Sequence, residues 1–220
     1  MGNPLPLDLT GREDRTRLPG LSTRGRAEIE GERMFGWARN GSERLAAGRL
    51  YASLVEQARR PEFYARLGVP DTLDGRFEVL TLHAYLALNR LKRDRACAAV
   101  AQALVDAFID DMDANLREMG AGDLGVGRRV KTMATALYGR IAAYERALAA
   151  GPLELTAALA RNLYGTTRAE PWQIAAIALY MRDLAEGLAR QPAEALLRGE
   201  ISLGPPPAAV AEGAGKALVV

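Results

Sequence analysis

Residues 59–78 read RRPEFYARLGVPDTLDGRFE, and the fold class turns on how this stretch interrupts the sequence around it. Pro61 suits the first turn of a short helix, where its missing N–H and fixed φ carry no penalty. Gly68 then offers a C-terminal stop, and Pro70 holds Val69 extended. Asp71, Thr72 and Asp74 present side-chain oxygens that can cap the helix to follow. The punctuation predicts two helices joined by a link of defined shape.

On both sides of the link, apolar residues recur at three and four, the helical period. Upstream, Ala47, Leu50, Tyr51, Leu54, Val55 and Ala58 form one stripe, opened by Ser42 as an N-cap. Downstream, Phe77, Leu80, Ala84, Ala87, Leu88 and Leu91 form another, which ends in the basic run Arg90, Lys92, Arg93, Arg95. A longer helix is predicted from about Ala96 to Met119, with Val100, Leu104, Phe108, Met112 and Leu116 on one face and Gly120 as its stop. The glycine-rich AGDLGVG that follows reads as a connection, and the next helix is expected to begin near Arg128. Shorter helices are predicted over Pro152–Leu163, Pro171–Arg190 and Ala193–Arg198.

Composition agrees with an all-α fold: 49% of residues are hydrophobic but only 6% aromatic, which suits helices packed through Ala and Leu better than sheets. The reading is a single compact domain of about six to seven helices over residues 34–203. Residues 1–33 and 204–220, polar or rich in Pro, Ala and Gly, are expected to be disordered. Six Arg balance six acidic residues in the first 33, unlike a transit peptide, and no apolar run marks a secretory signal. Met34, followed by Phe-Gly-Trp, is read as the native start.

Several function classes lose support at this stage. A formal net charge of +2, from 29 basic and 27 acidic residues, gives no global field for DNA. Cys97 is the sole cysteine and His83 the sole histidine, so neither a disulfide nor a Cys/His metal cluster can form within the chain. A dyad between them is disfavoured by their separation, and His83 is read as a hydrogen-bonded structural residue. No window has the roughly 20 apolar residues of a spanning helix. The glycine-rich connection lacks the Lys-Ser/Thr ending of a phosphate-binding loop.

Two features could carry function. Asp106, Asp110 and Asp113 share a face of the third long helix, with Arg117 four residues beyond Asp113. Such carboxylates could hold magnesium for a diphosphate substrate, although no second acidic motif accompanies them; a solvated or partner-facing stripe is the plainer reading. The basic groups Arg90, Lys92, Arg93 and Arg128, Arg129, Lys131 could meet RNA phosphate or anionic lipid. Cations at a helix C-terminus also serve the dipole.

Three long segments carry a family resemblance: ARRPEFYARLGVPDTLDGRFEVLTLH (Ala58–His83), VDAFIDDMDANLREMGAGDLGVGRRVKTMATALYGR (Val105–Arg140) and AYERAL (Ala143–Leu148). Together with the intervening helices they make residues 34–190 resemble the ubiquinol-cytochrome c chaperone family, bacterial relatives of the mitochondrial assembly factor for cytochrome b. The resemblance implies an all-helical, non-enzymatic chaperone without a metal or covalent cofactor, which binds newly made cytochrome b and promotes assembly of respiratory complex III. It implies work at the cytoplasmic face of the inner membrane, or the matrix side in mitochondria, where the family acts with a small partner subunit near the ribosomal exit. The basic groups are then expected to make transient contact with the ribosome or the membrane surface.

A chaperone for a membrane protein needs a surface that accepts apolar helices while its rim stays soluble. The expected client surface is formed or supported by Phe63, Tyr64, Leu67, Val69 and Phe77, with its shape set by Asp71, Asp74, Arg76 and Glu78. The stripe at Asp106, Asp110, Asp113 and Arg117 is a second expected interaction surface. Alternatives are a magnesium-dependent helical enzyme acting on a diphosphate, or a helical adaptor with another client.

Overall fold

A computed structural model describes the backbone over residues 23–118 and 123–207, and the side chains over 41–118 and 125–207. Residues 1–22, 119–122 and 208–220 lie outside the described residues, and with them the expected stop at Gly120 and most of the expected disordered flanks. The chain divides into two units, 1–38 and 39–220; of the first, the backbone shows helix from Thr23 onward, and the second is described below.

Among the described residues all regular structure is helical. Six long helices are α1 (Thr23–Ala58), α3 (Leu73–Leu91), α4 (Ala98–Glu118), α5 (Asp123–Ala150), α6 (Pro152–Asn162) and α7 (Pro171–Ala189). Two short ones, α2 (Glu62–Ala65) and α8 (Ala193–Leu197), and a 3-10 turn at Arg95–Cys97 complete the set. Two starts differ from expectation. Helix α1 begins at Thr23, so Ser42 lies within it rather than at its start. Helix α5 begins at Asp123, so Gly125 and Gly127 are helical rather than part of a loop. Val126 between them is fully buried, and that contact offsets the roughly 1 kcal/mol each glycine costs in a helix.

Helix α3 is the centre of the bundle. Every residue from Phe77 to Ala87 is buried, so α3 is enclosed on all sides and not merely along the stripe its sequence displays. It packs against α4, α5 and α7, and α6 bridges α5 and α7. From α1, Ala46, Ala47, Leu50, Leu54 and Ala58 enter the same core.

The link of residues 59–78 takes the shape its punctuation predicts. Pro61 precedes α2, Gly68 adopts a φ of +69°, and Thr72 caps α3 by accepting from the Gly75 amide at 3.2 Å. The open carbonyls at the end of α2 meet side chains from distant helices, as helix ends require. Gln173 of α7 donates to Arg66 O at 3.1 Å and Tyr164 donates to Leu67 O at 2.6 Å.

The start of the expected C-terminal tail is held down. Ser202 exchanges two hydrogen bonds with Gln191, Leu203 and Pro206 are buried, and Gly204 O accepts from Gln57 at 3.1 Å. Residues 204–207 therefore belong to the body: apolar packing and a backbone hydrogen bond outweigh their unstructured composition.

Candidate functional site

Helix α3 begins at the rim of an apolar trough, and the residues of the quoted link form one of its lips. The inner part, about 160 Å³, is walled by Val55 and Ala58 of α1, Tyr64, and Leu73, Phe77 and Leu80 of α3. Met112 and Leu116 of α4 and Met133 of α5 close it from the other side. Leu73, Phe77, Leu116 and Met133 also line a wider cleft of about 650 Å³, which continues along α5 to Ala136 and reaches Leu163 beyond α6. The apolar stripes of three helices run past one another here, and among the described residues no further helix covers them. Leu73 at the rim is 48% exposed.

The polar groups around the trough are fixed by one another. Arg76 donates to Asp71 at 2.7 Å and holds that carboxyl below the usual range. The Tyr64 hydroxyl donates to Ala58 O at 2.6 Å, and burial pushes its phenol up to about 12. Asp111 accepts from the Tyr51 hydroxyl at 2.7 Å and from Asn115 at 3.0 Å. Arg140 of α5 grips the largely buried Glu78 through Nε and Nη2 at 2.7–3.1 Å. The trough is thus a preformed apolar surface with a rigid polar frame, suited to receiving an apolar segment and lacking an arranged nucleophile.

Of the residues expected at the client surface, Tyr64, Asp74, Arg76, Phe77 and Glu78 line the trough, and Asp71 reaches it through Arg76. Phe63, Leu67 and Val69 are only 1–2% exposed and belong to the core. Phe63 packs edge-on against His83 and Tyr180, so these three support the lip from beneath.

The acidic stripe lies elsewhere. Asp106 accepts from Gln102, Asp113 pairs with Arg117 at 2.5 Å, and Asp110 is exposed; none of them lines the trough. Among the described residues no three carboxylates, histidines or cysteines are grouped to hold a metal ion, and the magnesium reading loses its geometric basis. The His83–Cys97 dyad fails too, since the two His83 nitrogens are engaged by Val79 O and the Tyr180 hydroxyl, each at 2.8 Å.

The two basic groups separate. Arg90 is nearly buried and donates to Gln191 O, and Lys92 pairs with Glu145. Arg128 and Arg129 line the wide cleft, whereas Lys131 does not. Sequence reasoning missed Leu73, Met112, Leu116, Met133, Arg140 and Arg161 as site residues. Most of these apolar positions were visible as helical stripes, but a stripe does not show which of its turns will be left uncovered.

Among the described residues no helix is long and apolar enough to cross a membrane. Residues 65–203 match the family model described as Ubiquinol-cytochrome C chaperone. The chain is 28% identical over 160 residues to the frog (Xenopus laevis) protein named ubiquinol-cytochrome-c reductase complex assembly factor 1, covering 72% of this chain and 80% of that one. The human protein of that name matches at 27% over 164 residues, 74% of this chain; the chain spans 55% of the human protein's length and 54% of the mouse protein's. Among solved structures, that of the Cbp3 homolog from Brucella abortus has a TM-score of 0.67 and 38% identity, and the match covers 77% of this chain and 94% of that one. The chain belongs to the ubiquinol-cytochrome C chaperone family.

Proposed function

We propose that this protein is an assembly chaperone that holds newly made cytochrome b in the trough on its way into respiratory complex III. The observation that carries the reading is the uncovered apolar trough, in a chain whose relatives are named complex III assembly factors. Met112 and Met133 in its wall are unbranched and pliable, so they fit irregular apolar surfaces better than branched residues would. A membrane-protein helix waiting for insertion presents such a surface.

In this reading the chain meets its client at the membrane surface. The proposed place is the cytoplasmic face of the inner membrane, or the matrix side in a mitochondrion. The face carrying Asp106, Asp110, Asp113 and Arg117 is proposed as a second contact, for the client or for a helper protein.

Photo-crosslinkers at Leu73, at the trough rim, and at Asp110, on the acidic face, test both parts in membranes. Crosslinking of cytochrome b from Leu73 is the expected result. Recovery only of other membrane proteins from that position would replace cytochrome b as the client. Charge reversal at Asp110 that leaves client capture unchanged would remove the acidic face.

A further inference from the structure

The wide cleft differs from the inner trough in its charge. Arg128 and Arg129 from α5 and Arg161 from α6 line it beside Arg140, and so does the N-terminal turn of α3. Arg140 is committed to Glu78. Arg128, Arg129 and Arg161 make no side-chain hydrogen bond or ion pair among the described residues, and all three are exposed. Among the described residues the wall contains two carboxylates: Glu78, neutralised by Arg140, and Asp74. Three unpaired guanidinium groups therefore face one unpaired carboxylate. The Asn162 amide nitrogen, enclosed in the same wall, has no hydrogen-bond partner. The positive end of the α3 dipole adds to the same field.

We propose that this cleft binds the headgroup of an anionic phospholipid, with the phosphate held by Arg128, Arg129 and Arg161 and an acyl chain lying along Phe77, Leu116 and Met133. The combination of cationic mouth and apolar floor selects an amphiphile over a bare anion. Guanidinium groups match phosphate oxygens through paired N–H donors. The floor does not end at the mouth, because its apolar residues also wall the inner trough and give a chain a continuous path. Nucleic acid fits worse: among the described residues Phe77 is the only aromatic side chain lining the cleft and is 8% exposed, so it presents no open ring for a base to stack on. Such a site would orient the trough towards the bilayer. Its apolar floor is shared with the proposed client trough, but a vesicle suffices as ligand, so binding is measured without the client.

The test is sedimentation of the full-length protein with vesicles of phosphatidylcholine alone or mixed with phosphatidylglycerol. Binding to the mixed vesicles only is expected, reduced about five-fold by each of Arg128→Gln, Arg129→Gln and Arg161→Gln, and about a hundred-fold by the triple change. Circular dichroism melts confirm that the variants fold. Arg93→Gln with Lys131→Gln, two basic positions outside the cleft, should leave binding within about two-fold. Equal losses from both sets would show diffuse surface attraction and overturn the site, as would wild-type binding by the triple variant. Short-chain phosphatidylglycerol should compete better than glycerol phosphate; equal competition would make this a free-phosphate site and overturn the lipid proposal.

Discussion

His83 donates from Nδ1 to Val79 O and accepts at Nε2 from the Tyr180 hydroxyl, whose oxygen in turn accepts from Gln57 at 2.9 Å. The second Gln57 N–H goes to Gly204 O. Four parts of the chain, α3, α7, α1 and the C-terminal segment, are thereby joined through one directional line of hydrogen bonds. Tyr180→Phe removes the central hydroxyl and leaves buried partners unsatisfied, a loss of about 2 kcal/mol in chemical unfolding. Burial lowers the His83 pKa from 6.5 to about 4. The unfolded chain takes up a proton below 6.5 and the folded chain does not, so stability present above pH 6.5 is lost as pH falls towards 4. The expected loss is about 3 kcal/mol across that window, nearly level above it. Unfolding curves between pH 7.5 and 5, where carboxylates contribute little, should capture about 2 kcal/mol of it; a His83→Gln variant should lose that part of the slope. His83 as a structural residue was legible from its being the only histidine. Its partner Tyr180, 97 positions away, was not, because nothing local specifies which hydroxyl meets a buried ring.

Among the elements, the link before α3 shows how far local chemistry reaches. The roles of Pro61, Gly68 and Thr72 follow from backbone sterics and capping, and all three appear in the structure. Gly75 has a different reason to be glycine: a Cβ there would sit 1.9 Å from Pro70 O. Gly75→Ala should cost about 1–3 kcal/mol by forcing the link away from α3. In the described second half of α1, a Cβ added at Gly48 would meet nothing within 4 Å, and Gly48→Ala should stabilise by about 0.5–1 kcal/mol. Thermal melts of the two variants should move in opposite directions. The helix starts were less legible. Helix α5 begins at Asp123 and buries Val126 in its first turns, which the glycines on either side of it concealed in the sequence. The Glu78–Arg140 pair was not legible either: it spans α3 and α5 and is 62 residues apart in sequence. Arg140→Ala would strand a nearly buried carboxylate and is expected to cost about 3 kcal/mol in chemical unfolding.

For the molecule as a whole, the consequence of the bundle is a central helix with an uncovered beginning. Enclosure of α3 from Phe77 to Ala87 accounts for the stability of the core. The opening between α3, α4 and α5 accounts for the proposed client surface. Met133→Asp places a charge on the trough floor at a half-buried position. It should abolish cytochrome b crosslinking from Leu73 while circular dichroism shows an unchanged helical content; retained crosslinking would move the client site elsewhere. The helical class, the kinked link, the Thr72 cap and the family resemblance were all contained in the sequence, because each depends on neighbours within a few residues or on long ordered matches. Residues 59–78 are the clearest case, since sterics alone dictate their turn. Tertiary structure alone decided that Phe63, Leu67 and Val69 lie beneath the surface and that Asp106, Asp110 and Asp113 stand apart from the trough. It alone brought Met112, Met133 and three arginines to its walls. The physical reason is that exposure is set by how whole helices pack, and a stripe of apolar residues carries no mark of the turns that its neighbours leave open.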